Sequence, residues 1–146
     1  MIDPDEFAPQ VREGIAALAA EMAEHGTDRD APVRAVMALL GDRWSTLILL
    51  VLATGTWRHA DLRRALSRLS AEKTISQRVL TLKLRGLERD GFVSRAVSED
   101  VPPKVSYRLT ALGRHLHGEA RRLIDWLTDH ETEIRKARAD YEASEE

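Results

Sequence analysis

A chain of 146 residues is long enough for one hydrophobic core, and without cysteine it has no disulfide, no thiolate-bound metal and no thiol nucleophile. Charged residues make up 32% and hydrophobic ones 43%, the balance of a soluble protein with many surface helices, so a single domain over 1–146 is expected. No stretch approaches the ~18 apolar residues that span a bilayer. The acidic start Met1-Ile2-Asp3-Pro4-Asp5-Glu6 lacks the basic region of a secretory signal, so the expectation is a cytoplasmic protein with no membrane partner.

Phe7, Val11, Ile15, Leu18 and Met22 recur at steps of four, four, three and four, which predicts an amphipathic helix over residues 5–25. Pro4 suits its first turn and Gly26 its end. A polar linker, 27–32, leads to a second helix from Val33 to Leu40 that stops at Gly41. Asp42 is the expected N-cap of a third, Arg43 to Ala53. Its apolar residues (Trp44, Leu47, Ile48, Leu50, Val51, Leu52) lie nearly all round, which marks a central core helix.

After Thr54-Gly55, the stretch Thr56-Trp57-Arg58 is short and β-favouring. A helix from Ala60 to Leu66 follows, with Leu62 and Leu66 inward and Arg63 and Arg64 outward. The polar connection Ser67 to Lys73 precedes a stronger helix, Ile75 to Arg89, with Val79 or Leu80, then Leu84 and Leu87, on its core side. Asp90-Gly91 ends it. Phe92–Ser98 and Lys104–Leu109 read as two strands. The second alternates cleanly, and Glu99-Asp100-Val101-Pro102-Pro103 forms the tip between them.

Thr110 then caps a long helix expected to run to about Tyr141. Along it Leu116, Ala120, Leu123, Leu127, His130, Ile134, Ala137 and Tyr141 step alternately by four and three. A seam of this period favours a helix from a second subunit over the chain's own N-terminal helix. A homodimer is expected, with 1–30 and 111–146 as dimerisation segments around a core at 31–110.

Charge is segregated along this pattern. Residues 1–30 carry eight acids against Arg12 and Arg29, and residues 129–146 carry seven against Arg135, Lys136 and Arg138. From Trp57 to Arg95 ten Lys/Arg face four acids, in a chain whose formal net charge is −2. Acidic ends repel phosphates, so a polyanionic partner is confined to the basic centre.

Strand, helix, turn, helix, hairpin is the order of a winged helix-turn-helix domain, mainly α with a small β wing. In that arrangement the second helix enters the major groove of double-stranded DNA. Thr74, Gln77, Arg78, Thr81 and Arg85 fall on one face of it, opposite Leu80, Leu84 and Leu87. Gln pairs with adenine edges, Arg with guanine, and a Thr methyl meets the thymine methyl, so these five are the candidate base readers. His59, Arg63, Arg64, Ser76, Lys83, Arg95 and Lys104 are candidate backbone contacts, which position without specifying sequence.

The same residues resemble those of the HxlR-type winged-helix transcriptional regulators. The resemblance rests on Pro32-Val33, on Gly41-Asp42-Arg43-Trp44 and on the run Ala60 to Leu66. It continues through Ile75 to Thr81, Leu84 to Gly91, and Val101 to Gly113, and covers about Pro32 to Leu127. It implies a homodimeric DNA-binding regulator, more often a repressor, joined through N- and C-terminal helices and bound to a pseudo-palindromic operator. Many relatives carry a cysteine just before the Pro-Val, through which some sense oxidants; this chain has Ala31 there. Without sulfur nucleophiles that mechanism is excluded, and any effector is read by non-covalent binding. The connection Ser70-Ala71-Glu72-Lys73 is slightly longer than usual for the family.

No phosphate-binding glycine loop, nucleophile elbow or metal-protease helix is present, so no enzyme, catalytic residue, cofactor or metal is expected. His115 and His117 point to different faces of a helix, and His130 falls on the seam. Trp44, Trp57 and Trp126 are core candidates. Met37, Trp44, Ile48, Leu52 and Trp126 are a candidate pocket for a small hydrophobic effector. The alternative reading is a winged-helix protein-interaction module that does not read DNA.

Overall fold

The computed structural model describes residues 1–26, 31–70 and 74–145. It comprises two compact units, Met1–Asp42 and Arg43–Glu146. The division falls after Asp42 and not at residue 30, so the helix before Gly41 belongs to the first unit.

In the first unit Asp3 caps a short 3-10 turn, Pro4–Glu6, its carboxylate accepting from the Asp5 N–H at 3.0 Å. Helix α1 is Pro9–His25, four residues shorter than expected at its start. The cause is Pro9, whose ring disfavours helical backbone in the residue before it; Ala8 is extended at ψ 141°. Gly26, at φ 92°, ends α1 as its position in sequence predicts. The linker at 27–30 lies outside the described residues. Pro32 opens α2 (Pro32–Leu40). Neither α1 nor α2 has a buried residue.

The second unit is built on α3 (Ser45–Leu52), where Ser45, Ile48, Leu49, Val51 and Leu52 are buried with Trp44 before them. The Asp42 N–H bonds back to the Leu39 carbonyl at 3.0 Å after the end of α2, and the residue immediately before α3 is Trp44, two positions beyond the expected cap. Strand β1 (Trp57–Arg58) leads directly into α4 (His59–Leu69), which buries Leu62 and Leu66 and runs three residues beyond its expected end. Residues 71–73, where the connection looked long for the family, lie outside the described residues.

Helix α5 is Gln77–Arg89, capped by Ser76, whose hydroxyl accepts from the Val79 N–H at 3.1 Å. Ile75, expected as the first helical residue, is instead buried in the turn ahead of the cap. Leu80, Leu84 and Leu87 point inward and Val79 does not. Gly91, at φ 85°, turns the chain into β2 (Val93–Val97), which pairs antiparallel with β3 (Val105–Leu109). Strand β1 pairs with the other edge of β3, giving the order β1-β3-β2. Tyr107 lies opposite Trp57 on one side and Arg95 on the other, while Tyr107 and Leu109 face the core.

Thr110 binds α6 (Ala111–Asp129) to the wing. Its hydroxyl accepts from Gly113 N–H at 3.0 Å and donates to the Gly91 carbonyl at 2.6 Å. The expected helix to Tyr141 is two helices, α6 and α7 (Glu131–Ser144), interrupted at His130. There the His130 ring stacks on Trp126 at 4.2 Å, and its Nδ1–H donates to the Trp126 carbonyl at 2.8 Å. A side chain bonding the i−4 carbonyl competes with the helical ladder. Trp126, expected in the core, is 54% exposed. Among the described residues no single helix is long and apolar enough to cross a membrane.

Gly113 is a packing requirement. A Cβ there would lie 2.0 Å from the Phe92 carbonyl oxygen, whereas at Gly118 in the same helix nothing lies within 4 Å. Gly113→Ala should lower stability by roughly 1–3 kcal/mol through overpacking. Gly118→Ala should raise it by about 0.5–1 kcal/mol through helix propensity. Thermal unfolding of the two variants should move in opposite directions; a Gly113→Ala protein as stable as the parent would contradict this packing.

Candidate nucleic-acid interface

With three leucines turned inward, α5 has to present its remaining faces outward. Gln77, Arg78 and Arg85 are exposed and Thr81 is half-buried. Gln77, Thr81, Arg85 and Glu88 form one wall of a groove of about 640 Å³. The opposite wall is the wing, with Arg95, Lys104, Val105 and Tyr107, and Arg58 and His59 form its floor. Four of these side chains are basic and one is acidic, so the groove carries a net positive field that low-dielectric walls concentrate.

A second groove of about 400 Å³ runs along α4, lined by Ala60, Arg63, Arg64, Ser67, Arg68 and Thr74. Thr74 lies ahead of the Ser76 cap, so it does not share a helical face with Gln77 and Thr81 as the wheel suggested. It stands among the arginines of α4 instead. Arg78 and Lys83 line neither groove.

The cations are not equally available. Arg63 donates from Nε to the Ile75 carbonyl at 2.8 Å and thereby holds the turn between α4 and α5. Arg64 pairs with Asp61 one helical turn earlier, and Arg89 with Asp90 at 3.4 Å. The Ser76 oxygen accepts at the helix cap, which leaves its O–H proton and the N–H groups of the first turn to donate to a phosphate. Lys104 sits where the hairpin closes: its N–H donates to the Ser98 hydroxyl at 2.9 Å, and its carbonyl accepts from the Ser98 N–H at the same distance.

His59 begins α4 but does not cap it. Its Nε2 lies 3.0 Å from the Thr81 hydroxyl, and its ring stands 6.2 Å from that of Tyr107. Burial, and secondarily the Arg63 guanidinium, hold its pKa below the ordinary histidine value. The neutral imidazole is therefore the favoured form in the fold. The stability this gives is complete above ~6.5 and is lost as pH falls below that value toward the folded-state pKa.

The five residues of the candidate effector pocket are divided. Trp44, Ile48 and Leu52 are core residues of the second unit, Trp126 is on its surface, and Met37 is 64% exposed in the first unit. Arg58, Arg68, Glu88 and Tyr107 line the grooves although sequence reasoning assigned them no role. Arg58 was legible in principle, since alternation along a strand puts it opposite Trp57. Glu88 falls close to Gln77 and Thr81 on a helical wheel, but an acid has no place in a search for phosphate contacts.

Residues 39–135 match the HxlR-like helix-turn-helix family. The chain is 38% identical over 96 residues to YtfH of Escherichia coli, described as an uncharacterized HTH-type transcriptional regulator, covering 66% of this chain and 71% of that one. Among solved structures, YtfH of Salmonella typhimurium superposes with a TM-score of 0.62 at 34% identity, over 77% of this chain and 95% of that one. The reduced form of the redox regulator HypR superposes at 0.61 with 33% identity, over 72% and 98%. The fold is a winged helix-turn-helix, and the chain belongs to the HxlR-like helix-turn-helix family.

Proposed function

We propose that this transcriptional regulator inserts α5 into the major groove of a specific duplex, reading bases from the face that begins at Gln77 and gripping the backbone from the wing and α4. The observation that carries the reading is the first groove, where base-reading side chain types on α5 stand across from Arg95 and Lys104. Gln77, Arg78, Thr81 and Arg85 serve as readers, and Thr74 moves to the backbone group with Arg63, Arg64, Ser76, Lys83, Arg95 and Lys104. His59 has a different role, argued below. A protein-docking wing would present an apolar surface, and this groove is lined mainly by charged and polar groups.

Arg78→Ala should cost about 1–3 kcal/mol at the specific site and relax preference at one base pair. Lys104→Ala should leave preference intact and lower the salt slope by about one unit. Both are measured by duplex titration at several salt concentrations. Equal weakening on every duplex by Arg78→Ala would make Arg78 a phosphate contact, and an unchanged slope for Lys104→Ala would take the wing off the DNA.

The active species in this reading is a homodimer on a pseudo-palindrome, with the two α5 helices about 34–36 Å apart or a multiple of that. Its support is exposed apolar surface that one chain leaves uncovered. Leu123 (54%), Leu127 and Tyr141 are open on α6 and α7, as are Val11, Leu18 and Met22 on α1. Large exposed apolar side chains grouped on a helix in this way mark association. Leu123→Asp combined with Leu127→Asp should yield monomers in sedimentation and weaken palindrome binding more than half-site binding. A dimer that survives the double change would remove this seam from the interface.

Repression is the outcome this reading favours, by occlusion of the bound site. Regulation by a small hydrophobic effector acts non-covalently, since the chain has no thiol. It works by shifting the population of dimers whose two α5 helices match the operator spacing. A screen of hydrophobic metabolites that moves neither the melting temperature nor the tryptophan fluorescence would eliminate the effector.

A further inference from the structure

Thr81 has one hydroxyl proton, and it is already placed. Its Oγ1 donates to the Gln77 carbonyl at 2.8 Å, one turn back along α5. With that proton on the Gln77 carbonyl, the contact between His59 Nε2 and the same oxygen, at 3.0 Å, runs the other way, with Nε2–H as donor and Thr81 Oγ1 as acceptor. In this arrangement the neutral ring carries its proton on Nε2. Protonation adds a proton at Nδ1 and leaves the bond to Thr81 in place.

The chain His59 to Thr81 to the Gln77 carbonyl ties the start of α4 to the first turns of the reading helix. The hydroxyl of Thr81 has given up its donor and one of its acceptor sites inside the protein. What the side chain retains for a partner in the groove is chiefly its methyl group. A major-groove edge offers one apolar group for such a contact, the 5-methyl of thymine.

We propose that His59 is a positioning residue which, by holding the Thr81 hydroxyl, commits Thr81 to read one operator position through its methyl group and so to select thymine there. This rests on the reading above that α5 lies in the major groove. It departs from the simpler assignment of His59 to a phosphate, because the nitrogen nearest α5 is spent on Thr81. Around the imidazole, Arg58 and Arg63 come from β1 and α4, Arg85 and Glu88 from α5, Arg95 from β2, Lys104 from the residue just before β3, and Tyr107 from β3. Since Nε2–H is present in both protonation states, selection of the methyl does not vary with pH even where total affinity does.

The test begins by selecting a preferred site from a randomised duplex pool with the wild-type protein, then replacing its thymines one at a time with deoxyuridine, which removes only the methyl. Wild type should lose about fourfold in affinity at one thymine of each half-site, the increment of one buried methyl. Thr81→Val, which keeps a methyl, should retain that loss; Thr81→Ser and His59→Ala should flatten it. His59→Gln, which restores an N–H donor at a similar reach, should recover it, and wild type should show the same fourfold at about pH 6 and about pH 8. Undiminished methyl dependence in His59→Ala overturns the proposal, as does a wild type that tells its site from competitor DNA with no thymine methyl contributing. Should wild type fail to discriminate any site from competitor, the major-groove reading itself falls and this proposal with it.

Discussion

The placement of every side chain that α5 presents to the groove depends on how the helix is rolled about its own axis, and that roll is set by three leucines. Leu80, Leu84 and Leu87 are each at most 1% exposed, and burying such a side chain contributes roughly 1.5–3 kcal/mol. A slip of one residue rotates a helix by about 100° and would turn that apolar row to solvent. The face carrying Gln77, Thr81 and Arg85 is therefore held by the hydrophobic effect acting on its opposite side. Ser76 at the cap, Arg63 on the Ile75 carbonyl and Gly91 at the far end fix where the helix starts and stops.

Periodicity made much of this legible. The apolar rows of α3, α4 and α5, the alternation in β3 and the Thr110 cap are properties of neighbours a few residues apart, and the structure has them where the pattern puts them. The differences arise where a local bond outcompetes a pattern. Pro9 delays α1, and His130 interrupts a seam whose spacing reads as one helix. Thr74 was placed on the wheel of a helix that begins only after Ser76. Trp126 is on the surface, because a large aromatic on a helix reads as core whether it fills this chain's interior or one shared with another.

The grooves were less legible than the helices. That Arg95 and Lys104 stand across from Gln77 follows from the register of β2 on β3 and from the turn at Gly91, and neither is a local property of the sequence. Nor does any spacing rule give the bond between His59 and Thr81, which are 22 residues apart. Charge was the more reliable guide, because clustering survives small errors in helix boundaries. It gave the basic centre without showing that Arg63 and Arg64 are partly engaged already.

Two helices at the start of the chain have no fully buried residue. Segments of this kind draw their order from whatever covers them, so their folding follows mass action and varies with how many copies are present. In the proposed dimer, a regulator built in this way senses its own abundance. Under that proposal, occupancy of a two-fold site falls more steeply than the number of molecules when copies are scarce, which makes the response to synthesis and turnover sharper than one subunit acting alone would give.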